Sequence, residues 1–256
     1  MEQPSRRIRV VVPVITEGFP DARDFSSVAG LGTEITLTQI GRGPASIESE
    51  FDAALAAPDV ILKIVEAERE GVDAAVIDCM DDPGLLAARE MVSIPVVGPC
   101  QTTMHLASLL GHRFSVVTVM ECSTSGFENR AKLYGVSDKL ASVRWVDIPV
   151  LDLSSSENRL LHDLVEESVK AVESDGAHVV VFGCTGLLGY ADAVRQALER
   201  RGHVGIPVID PLPATIRFAE MLVDAGLRHS KRTYPFPPAK ATAGYGFADR
   251  ATQKGA

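Results

Sequence analysis

"EREGVDAAVIDC" (Glu68–Cys79) and "ESDGAHVVVFGC" (Glu173–Cys184) share one pattern at a constant offset of 105 residues. Each stretch has an acid, a polar residue and a second acid, followed by Gly, an apolar run and a final Cys. The chain has only four cysteines, so two of them occupy the same position of a repeated unit. Because self-similarity at a fixed offset indicates repeated structural units, the pattern predicts two halves of one architecture.

Two further blocks extend the repeat in the same order. "RIRVVV" (Arg7–Val12) resembles "RFSVVT" (Arg113–Thr118) at an offset of 106 residues. "IPVVGP" (Ile94–Pro99) resembles "IPVIDP" (Ile206–Pro211) at an offset of 112 residues. The alternative is that buried, Val-rich strands resemble one another by composition alone. Three blocks in one order favour the repeat.

The apolar runs and the patterns between them predict an α/β fold. Continuous, β-branched runs are typical of parallel strands that are covered on both faces. We predict strands at Ile8–Ile15, Glu34–Ile40, Ala74–Asp78, Pro95–Gly98, Phe114–Val119, Val143–Val150, Val179–Phe182 and Pro207–Asp210. We predict helices at Ile47–Glu70, Pro83–Val92, Thr102–Leu110, Cys122–Tyr134, Glu157–Ser174, Leu187–Arg201 and Ala214–Ala225. This alternation predicts two pseudo-symmetric, three-layer α/β/α half-domains with mainly parallel sheets and a site in the cleft between them.

The repeat also predicts how the chain is divided. We assign residues 1–98 and 208–228 to the first half-domain and residues 99–207 to the second. Residues 229–256 form a C-terminal tail rich in Pro, Lys and aromatic residues. Two alternatives stay open for this tail: it wraps a neighbouring surface or subunit, or it is partly disordered.

Composition excludes several functional classes. The 256 residues are 46% hydrophobic and 23% charged, which is ordinary for a globular protein with a sizeable core. The net charge of −9 argues against nucleic acid and anionic membranes as partners. The sequence has no apolar run long enough to span a membrane, and its cysteines are too sparse for a disulfide scaffold. Its first residues lack a long apolar stretch, so we expect no secretory leader. We therefore expect a cytoplasmic protein with free thiols. We also expect a small-molecule substrate and a homo-oligomer.

Cys79 and Cys184 lie just past the carboxyl ends of predicted buried strands, where open α/β sheets bind ligands. Asp82 and Pro83 fit an N-cap and a first helical residue after the first cysteine. A helix N-terminus there can lower a thiol pKa, and its free N–H groups can bind an oxyanion. Asp78 and Asp81 act in the opposite direction, because carboxylates raise a nearby thiol pKa. A single cysteine at a strand end is more often a small buried apolar residue, and the paired positions favour function.

Two thiols that face one substrate from opposite halves fit a single reaction class. One thiolate removes a proton from a carbon on one face, and the other thiol returns a proton on the opposite face. The intermediate is a carbanion or enolate, whose charge backbone N–H donors can stabilise. Such a reaction needs no metal and no organic cofactor, and we predict neither, since the sequence lacks Cys and His at zinc-ligand spacing.

The chain resembles the aspartate/glutamate racemase superfamily, and within it the hydantoin/allantoin racemase branch. The resembling stretches cover most of the chain in order: Gly43–Pro58, Cys79–Glu90, Gly111–Thr118, Phe182–Gly186, Ile206–Lys231 and Tyr234–Pro238. The most specific are "CMDDPGL" (Cys79–Leu85) and the later "GC" (Gly183–Cys184). The resemblance implies two α/β half-domains and cofactor-independent racemisation by Cys79 and Cys184.

Several loops depart from the branch and put the substrate in question. The loop after the first strand lacks the usual asparagines and reads "VPVITE" (Val12–Glu17). An aromatic residue and Gly usually follow the first cysteine, and Met80 and Asp81 stand there instead. Thr185 follows the second cysteine, as in the amino-acid racemases. We predict that the substrate contacts are Ile15, Met80, Asp81, Gln101, Thr118 and Thr185.

The predicted activity is racemisation of a carbon next to a carbonyl, in a 5-substituted hydantoin or an allantoin-like ring. The apolar loop Pro13–Ile15 and the lack of clustered Arg or Lys favour a ring over a zwitterion. Alternatives on the same fold are an aspartate/glutamate-type racemase, a maleate-type cis–trans isomerase and a decarboxylase. A non-enzymatic cytosolic small-molecule binding protein is the alternative from another class.

Overall fold

The computed structural model describes residues 6–18, 28–238, 240, 242 and 244. Its strands are β1 Arg6–Val12, β2 Thr33–Gln39, β3 Ala74–Ile77, β4 Val96–Val97, β5 Phe114–Thr118, β6 Leu140–Trp145, β7 Val179–Phe182 and β8 Val208–Ile209. Its helices are α1 Glu50–Arg69, α2 Leu85–Met91, α3 Pro99–Leu110, α4 Thr124–Leu133, α5 Glu157–Glu173, α6 Ala191–Arg200 and α7 Pro211–Asp224. The eight predicted strands and the seven predicted helices are thus all present, with ends shifted by a few residues.

The strands form two parallel four-stranded sheets with the same order. The first sheet runs β2-β1-β3-β4 and the second runs β6-β5-β7-β8. The register repeats as well: Ile8 lies opposite Ala74 in the first sheet, and Phe114 lies opposite Val179 in the second. These pairs are related by the sequence offsets of 106 and 105 residues, so the α/β fold and its internal repeat are confirmed.

Each sheet is covered by helices on both faces, because its central strands are apolar on both faces. In the first sheet, Val11 packs in the cluster with α1 and α2, whereas Ile8 and Val10 pack in the cluster with α7. The second sheet packs in the same way between α5 and α6 on one face and α3 and α4 on the other. The protein therefore has four hydrophobic clusters, one on each face of each sheet.

The two halves exchange helices. Helix α3 follows β4 of the first sheet but packs on β5 and β7 of the second sheet. Helix α7 follows β8 of the second sheet and packs on β1, β3 and β4 of the first. The two helices also contact each other. Strand β8 pairs with β7, so residues 208 and 209 lie in the second sheet, two residues past the predicted boundary, while the division into half-domains stays a prediction.

Both exchanged helices begin at a proline, three residues before their predicted starts at Thr102 and Ala214. Pro99 and Pro211 stand in the first turn of α3 and α7. Proline is favoured there because its fixed φ suits the helix and its missing N–H has no intrahelical partner at that position.

The predicted cap at Asp82 is wrong. Helix α2 begins at Leu85 rather than at Pro83, after Gly84, whose φ is +74°. The Asp82 carboxylate instead accepts hydrogen bonds from the N–H groups of Cys100 (3.1 Å) and Gln101 (2.9 Å) at the start of α3. It also accepts a 2.7 Å bond from the Tyr134 hydroxyl. The acid therefore caps the next helix along the chain instead of its own, and the Asp82 backbone is left-handed (φ +49°).

The described part of the tail packs on the first half of the same chain. Nε2 of His229 accepts a 3.0 Å hydrogen bond from the Val96 N–H. Nζ of Lys231 donates to the Arg89 carbonyl at 2.7 Å, and the Tyr234 ring lies against the Arg89 guanidinium. Residues 239, 241, 243 and 245–256 of the predicted tail lie outside the described residues. No helix in the described ranges is both long and apolar enough to cross a membrane.

Replacing Asp82 by Ala is expected to lower the free energy of unfolding by about 2–4 kcal/mol. The change leaves two N–H groups of α3 and the half-buried Tyr134 hydroxyl without their acceptor, and it places Ala at a positive φ. Asp82→Asn, which keeps one acceptor oxygen and tolerates this φ, is expected to cost less. Urea unfolding followed by circular dichroism measures both, with the exposed Asp192→Ala as the control. Equal stability of Asp82→Ala and Asp192→Ala would contradict the capping role.

Candidate active site

Cys79 and Cys184 lie in matching environments two residues beyond the central strands β3 and β7. Both thiols are free and partly buried, whereas Cys100 is fully buried and Cys122 is exposed. Each sulfur accepts a hydrogen bond from the backbone N–H two residues further on. The Asp81 N–H donates to Cys79 Sγ at 3.4 Å, and the Gly186 N–H donates to Cys184 Sγ at 3.3 Å. These N–H groups, which the sequence offered as oxyanion donors, therefore stabilise the thiolates themselves.

The two cysteine loops contact each other across the boundary between the sheets. The Thr185 hydroxyl, next to Cys184, donates a 3.3 Å hydrogen bond to the Asp78 carbonyl, next to Cys79. A negative charge on Cys184 raises the Cys79 pKa, so the two sulfurs also interact electrostatically. The carboxyl ends of the two sheets thus form one site that holds both thiols.

Glu48 connects the two halves beside this site. Its carboxylate accepts a 2.7 Å hydrogen bond from the Val150 N–H, and its carbonyl accepts a 3.3 Å bond from the Cys122 thiol. Its charge also raises the Cys184 pKa. The exposed third cysteine therefore makes a contact between the halves.

Both thiol pKa values are raised, contrary to the predicted lowering by helix N-termini. Burial raises the Cys79 pKa well above its usual value, and the Asp81 carboxylate raises it further. Burial also raises the Cys184 pKa, to about 12; the Gly186 N–H opposes this shift, and the charges of Asp78 and Asp81 add to it.

The predicted lowering of the thiol pKa values does not occur because no full helix begins directly after either cysteine. Helix α2 starts at Leu85, six residues past Cys79, and Cys184 is followed by the three-residue 3-10 turn Thr185–Leu187. One N–H per sulfur does not offset the loss of water and the nearby carboxylates. The Asp81 carboxylate raises the Cys79 pKa as expected, whereas the charge of Asp78 acts on Cys184 instead of Cys79.

Asp78 is a buried acid that the sequence marked only as a neighbour of Cys79. Its side chain is 7% exposed, and its Oδ1 has no hydrogen-bond partner among the described residues. Burial raises its pKa to about 6; the nearby Thr185 hydroxyl opposes the shift and the Asp210 charge adds to it. A carboxyl group of the first half thus acts on the thiol of the second half. The sequence feature that could have revealed Asp78 is a charged residue at the end of an apolar run.

Arg130 of α4 brings a cation to the Cys79 loop that the sequence did not predict. Its buried guanidinium donates to the Asp81 carboxylate and, at 3.1 Å, to Glu50. Its charge lowers the Cys79 pKa and so opposes the effect of Asp81. Nothing in the sequence links Arg130 to Asp81, because 49 residues separate them and the contact arises only where α4 meets the loop.

The remaining predicted substrate contacts differ in their accessibility. Ile15 is 45% exposed, whereas Met80 is buried in the core beneath α3. The buried Thr118 hydroxyl donates to the Gly183 carbonyl at 3.3 Å. Gln101 lines a separate cavity of about 780 Å³ between α3 and α7. The structure therefore groups Asp81 and Thr185 with the two thiols and places Gln101 elsewhere, and the substrate contacts stay a prediction.

A cavity of about 410 Å³ opens beside Cys184, between the two halves. Its walls come from the loop after β1, from residues 150–160 and from the turn after Cys184. They comprise Thr16, Glu17, Gly18, Val150, Leu151, Leu153, Ser154, Glu157, Leu160, Gly186 and Tyr190. Within the described ranges, no group of three or more His, Cys, Asp or Glu side chains is arranged to hold a metal ion. The site thus offers two thiols, several carboxylates and an adjoining space of small-molecule size.

The comparisons with known proteins agree with this geometry. The chain is 39% identical over 243 residues to a hydantoin racemase from Pseudomonas sp. (strain NS671), covering 93% of this chain and 94% of that protein. It is 40% identical over 214 residues to a hydantoin racemase from Rhizobium meliloti, covering 83% and 86%. An allantoin racemase structure from Klebsiella pneumoniae superposes with a TM-score of 0.87 at 33% identity, covering 94% and 97%.

A family model described as Asp/Glu/Hydantoin racemase matches residues 22–219, which include both cysteines and seven of the eight strands in full. The matched segment is more than half of the chain, and the relatives above align over most of their length. The chain belongs to the Asp/Glu/hydantoin racemase family.

Proposed function

We propose that this protein racemises 5-substituted hydantoins, or a related ring such as allantoin, with Cys79 and Cys184 as its two acid/base groups and no cofactor. The observation that carries the proposal is the pair of free thiols in matching environments, one from each half. The similarity to hydantoin and allantoin racemases supports the same substrate class.

In the proposed reaction, the thiolate on one side removes the proton from C5 of the ring. The electron pair of the broken C–H bond moves onto the neighbouring carbonyl and gives an enolate. The thiol on the opposite side then donates its proton to the other face of C5, and the carbonyl is restored. The product is the mirror image of the substrate, and the protonation states of Cys79 and Cys184 have been exchanged.

The charges around the thiols favour a neutral ring over an anionic substrate. Carboxylates of Asp78, Asp81 and Glu48 raise the Cys184 pKa, so the field at this sulfur is negative. The nearby cation Arg130 already pairs with two carboxylates. Aspartate, glutamate, maleate and malonates carry carboxylates that this field repels. The electrostatics therefore support a hydantoin-type substrate over the alternatives that share the fold.

A cytoplasmic location fits the chemistry, because an acid/base pair of thiols must stay reduced, and the cytosol keeps thiols reduced. Oxidation of Cys79 or Cys184 would remove the proton donor and the base. The homo-oligomer stays a prediction from the sequence.

Single-cysteine variants are expected to lose racemisation by at least about 10³-fold and to keep proton exchange with only one enantiomer each. In Cys79→Ala, Cys184 can still remove a proton from the face that it contacts, and the converse holds for Cys184→Ala. Optical rotation and deuterium uptake at C5 in deuterated water measure both properties on single enantiomers of hydantoins, allantoin and aspartate. The exposed Cys122→Ser is the control and is expected to retain racemisation. Racemisation that survives in either Cys→Ala variant would contradict the two-thiol mechanism.

The value of kcat/KM is expected to rise by about tenfold per pH unit between pH 7 and 9. The base must be ionised, and the raised pKa values of Cys79 and Cys184 keep most of the enzyme in the fully protonated form over this range. Polarimetry at low substrate concentration measures the profile after subtraction of the uncatalysed rate at each pH. A maximum near pH 7 would show that the free enzyme holds its thiols at lower pKa values.

Asp78→Asn is expected to lower the Cys184 pKa and to speed alkylation of this thiol several-fold at pH 8. The Asp78 carboxylate, ionised above its pKa of about 6, raises the Cys184 pKa, so removing its charge favours the thiolate. The gain is expected to shrink as the pH falls below 6, where Asp78 is protonated in the parent. Iodoacetamide labelling in a Cys79→Ser, Cys122→Ser background, followed by mass spectrometry, isolates Cys184. Identical rates with Asp and Asn at pH 8 would contradict the coupling.

A further inference from the structure

We infer that the cavity beside Cys184 receives the 5-substituent of the ring and selects an apolar chain that ends in a cation over one that ends in a carboxylate. The inference rests on the proposed racemase function and adds the substrate class within it. Its basis is the position of the cavity, its walls and its charges.

Gly186 connects the cavity to the Cys184 thiol. The Gly186 N–H donates to Cys184 Sγ, and the same residue forms part of the cavity wall. A Cβ atom at this position would lie 3.1 Å from Leu153 Cδ1 and 3.4 Å from Cys184 Sγ. The missing side chain leaves a gap (the passage) between Leu153 and Cys184 Sγ, at the residue that lines the cavity. In the proposed binding mode, a ring whose C5 lies at Cys184 directs its 5-substituent through this passage.

The inner walls of the cavity are apolar. Leu153 and Leu160 are buried side chains of the second core, and Val150 and Tyr190 pack against the same core. The volume of about 410 Å³ lies within the range of roughly 300–1,000 Å³ that small-molecule sites occupy. A straight carbon chain can therefore be buried here and gain affinity from the apolar area that it removes from water.

The outer part of the cavity carries negative charge. Glu17 comes from the loop after β1 in the first half, and Glu157 comes from the start of α5 in the second. Neither carboxylate forms an ion pair within the described part of the chain. Burial raises the Tyr190 pKa and the Glu157 charge raises it further, which agrees with the position of both residues on the cavity wall. Among the described residues that line the cavity there is no Lys, Arg or His.

Two carboxylates that make no ion pair among the described residues attract a cation at the end of the substituent and repel an anion. Since Glu17 and Glu157 are exposed, each is expected to change kcat/KM only modestly, by roughly three- to tenfold. The effect is expected to weaken as salt screens the charges. We therefore expect the cavity to prefer 5-substituents with a basic group at the end of a chain of about four carbon atoms. Neutral alkyl chains are expected to be accepted less well.

The test compares three hydantoins of similar length, with 5-(4-aminobutyl), 5-pentyl and 5-(3-carboxypropyl) substituents, at low ionic strength. We expect kcat/KM to fall in this order, by roughly tenfold at each step. Glu17→Gln with Glu157→Gln is expected to bring the amino-to-pentyl ratio close to one. The exposed Glu128→Gln, on α4 away from this cavity, is the matched control and is expected to leave the ratio unchanged. An unchanged ratio in the double Gln variant would overturn the role of the two acids.

The assignment of the cavity itself is tested with Gly186→Ala. The added methyl group narrows the passage, so kcat/KM is expected to fall more for 5-pentylhydantoin than for 5-methylhydantoin. An equal loss for both substrates would overturn the assignment. If the parent enzyme racemises neither these hydantoins nor allantoin, the proposed function fails; if it racemises allantoin alone, only the further inference fails. If all are racemised without the charge order, only the further inference fails.

Discussion

The structure depends on one backbone hydrogen bond that occurs twice. The N–H of the residue before each cysteine donates to the carbonyl of the adjacent central strand, from Asp78 to Val11 at 2.9 Å and from Gly183 to Val117 at 2.7 Å. These bonds continue the parallel pairing beyond the ends of β3 and β7, and they fix where each chain leaves its sheet. Both cysteine loops therefore begin from the same geometry, and the site inherits its symmetry from the register of the sheets.

The symmetry of the backbone is accompanied by asymmetry in the side chains. In the first half, the Asp82 carboxylate caps α3 and occupies the space above Gly98, where a Cβ would lie 2.4 Å from Asp82 Oδ1. In the second half, the position equivalent to Asp82 is Leu187, and the position equivalent to Gly98 is Asp210. Each half thus places one carboxylate near the start of its exchanged helix, but from a different position in the chain. Together with the contact between α3 and α7, this arrangement ties the halves into one unit around the thiols.

Groups that raise the thiol pKa values and groups that lower them lie side by side in this site. Burial and nearby carboxylates raise the pKa of both thiols, which in the proposed reaction preserves a proton donor on each side. One N–H per sulfur opposes the shift, and at Cys79 the Arg130 charge opposes it as well. A thiolate with a raised pKa is scarce but is a strong base once it forms. The same negative charges that disfavour the thiolate also disfavour anionic substrates. In the proposed reaction, the local field therefore bears on both the acid/base chemistry and the choice of substrate.

The sequence by itself determined the parallel α/β fold, the internal repeat and the equivalent positions of Cys79 and Cys184. These features follow from the apolar period of buried strands and from offsets that can be read along the chain. Only the tertiary structure decided that Asp82 caps α3, that Arg130 meets Asp81 and that Asp78 acts on Cys184. The physical reason is that a charged side chain finds its partner wherever folding removes both from water, and no local pattern encodes a contact between residues that are distant in sequence.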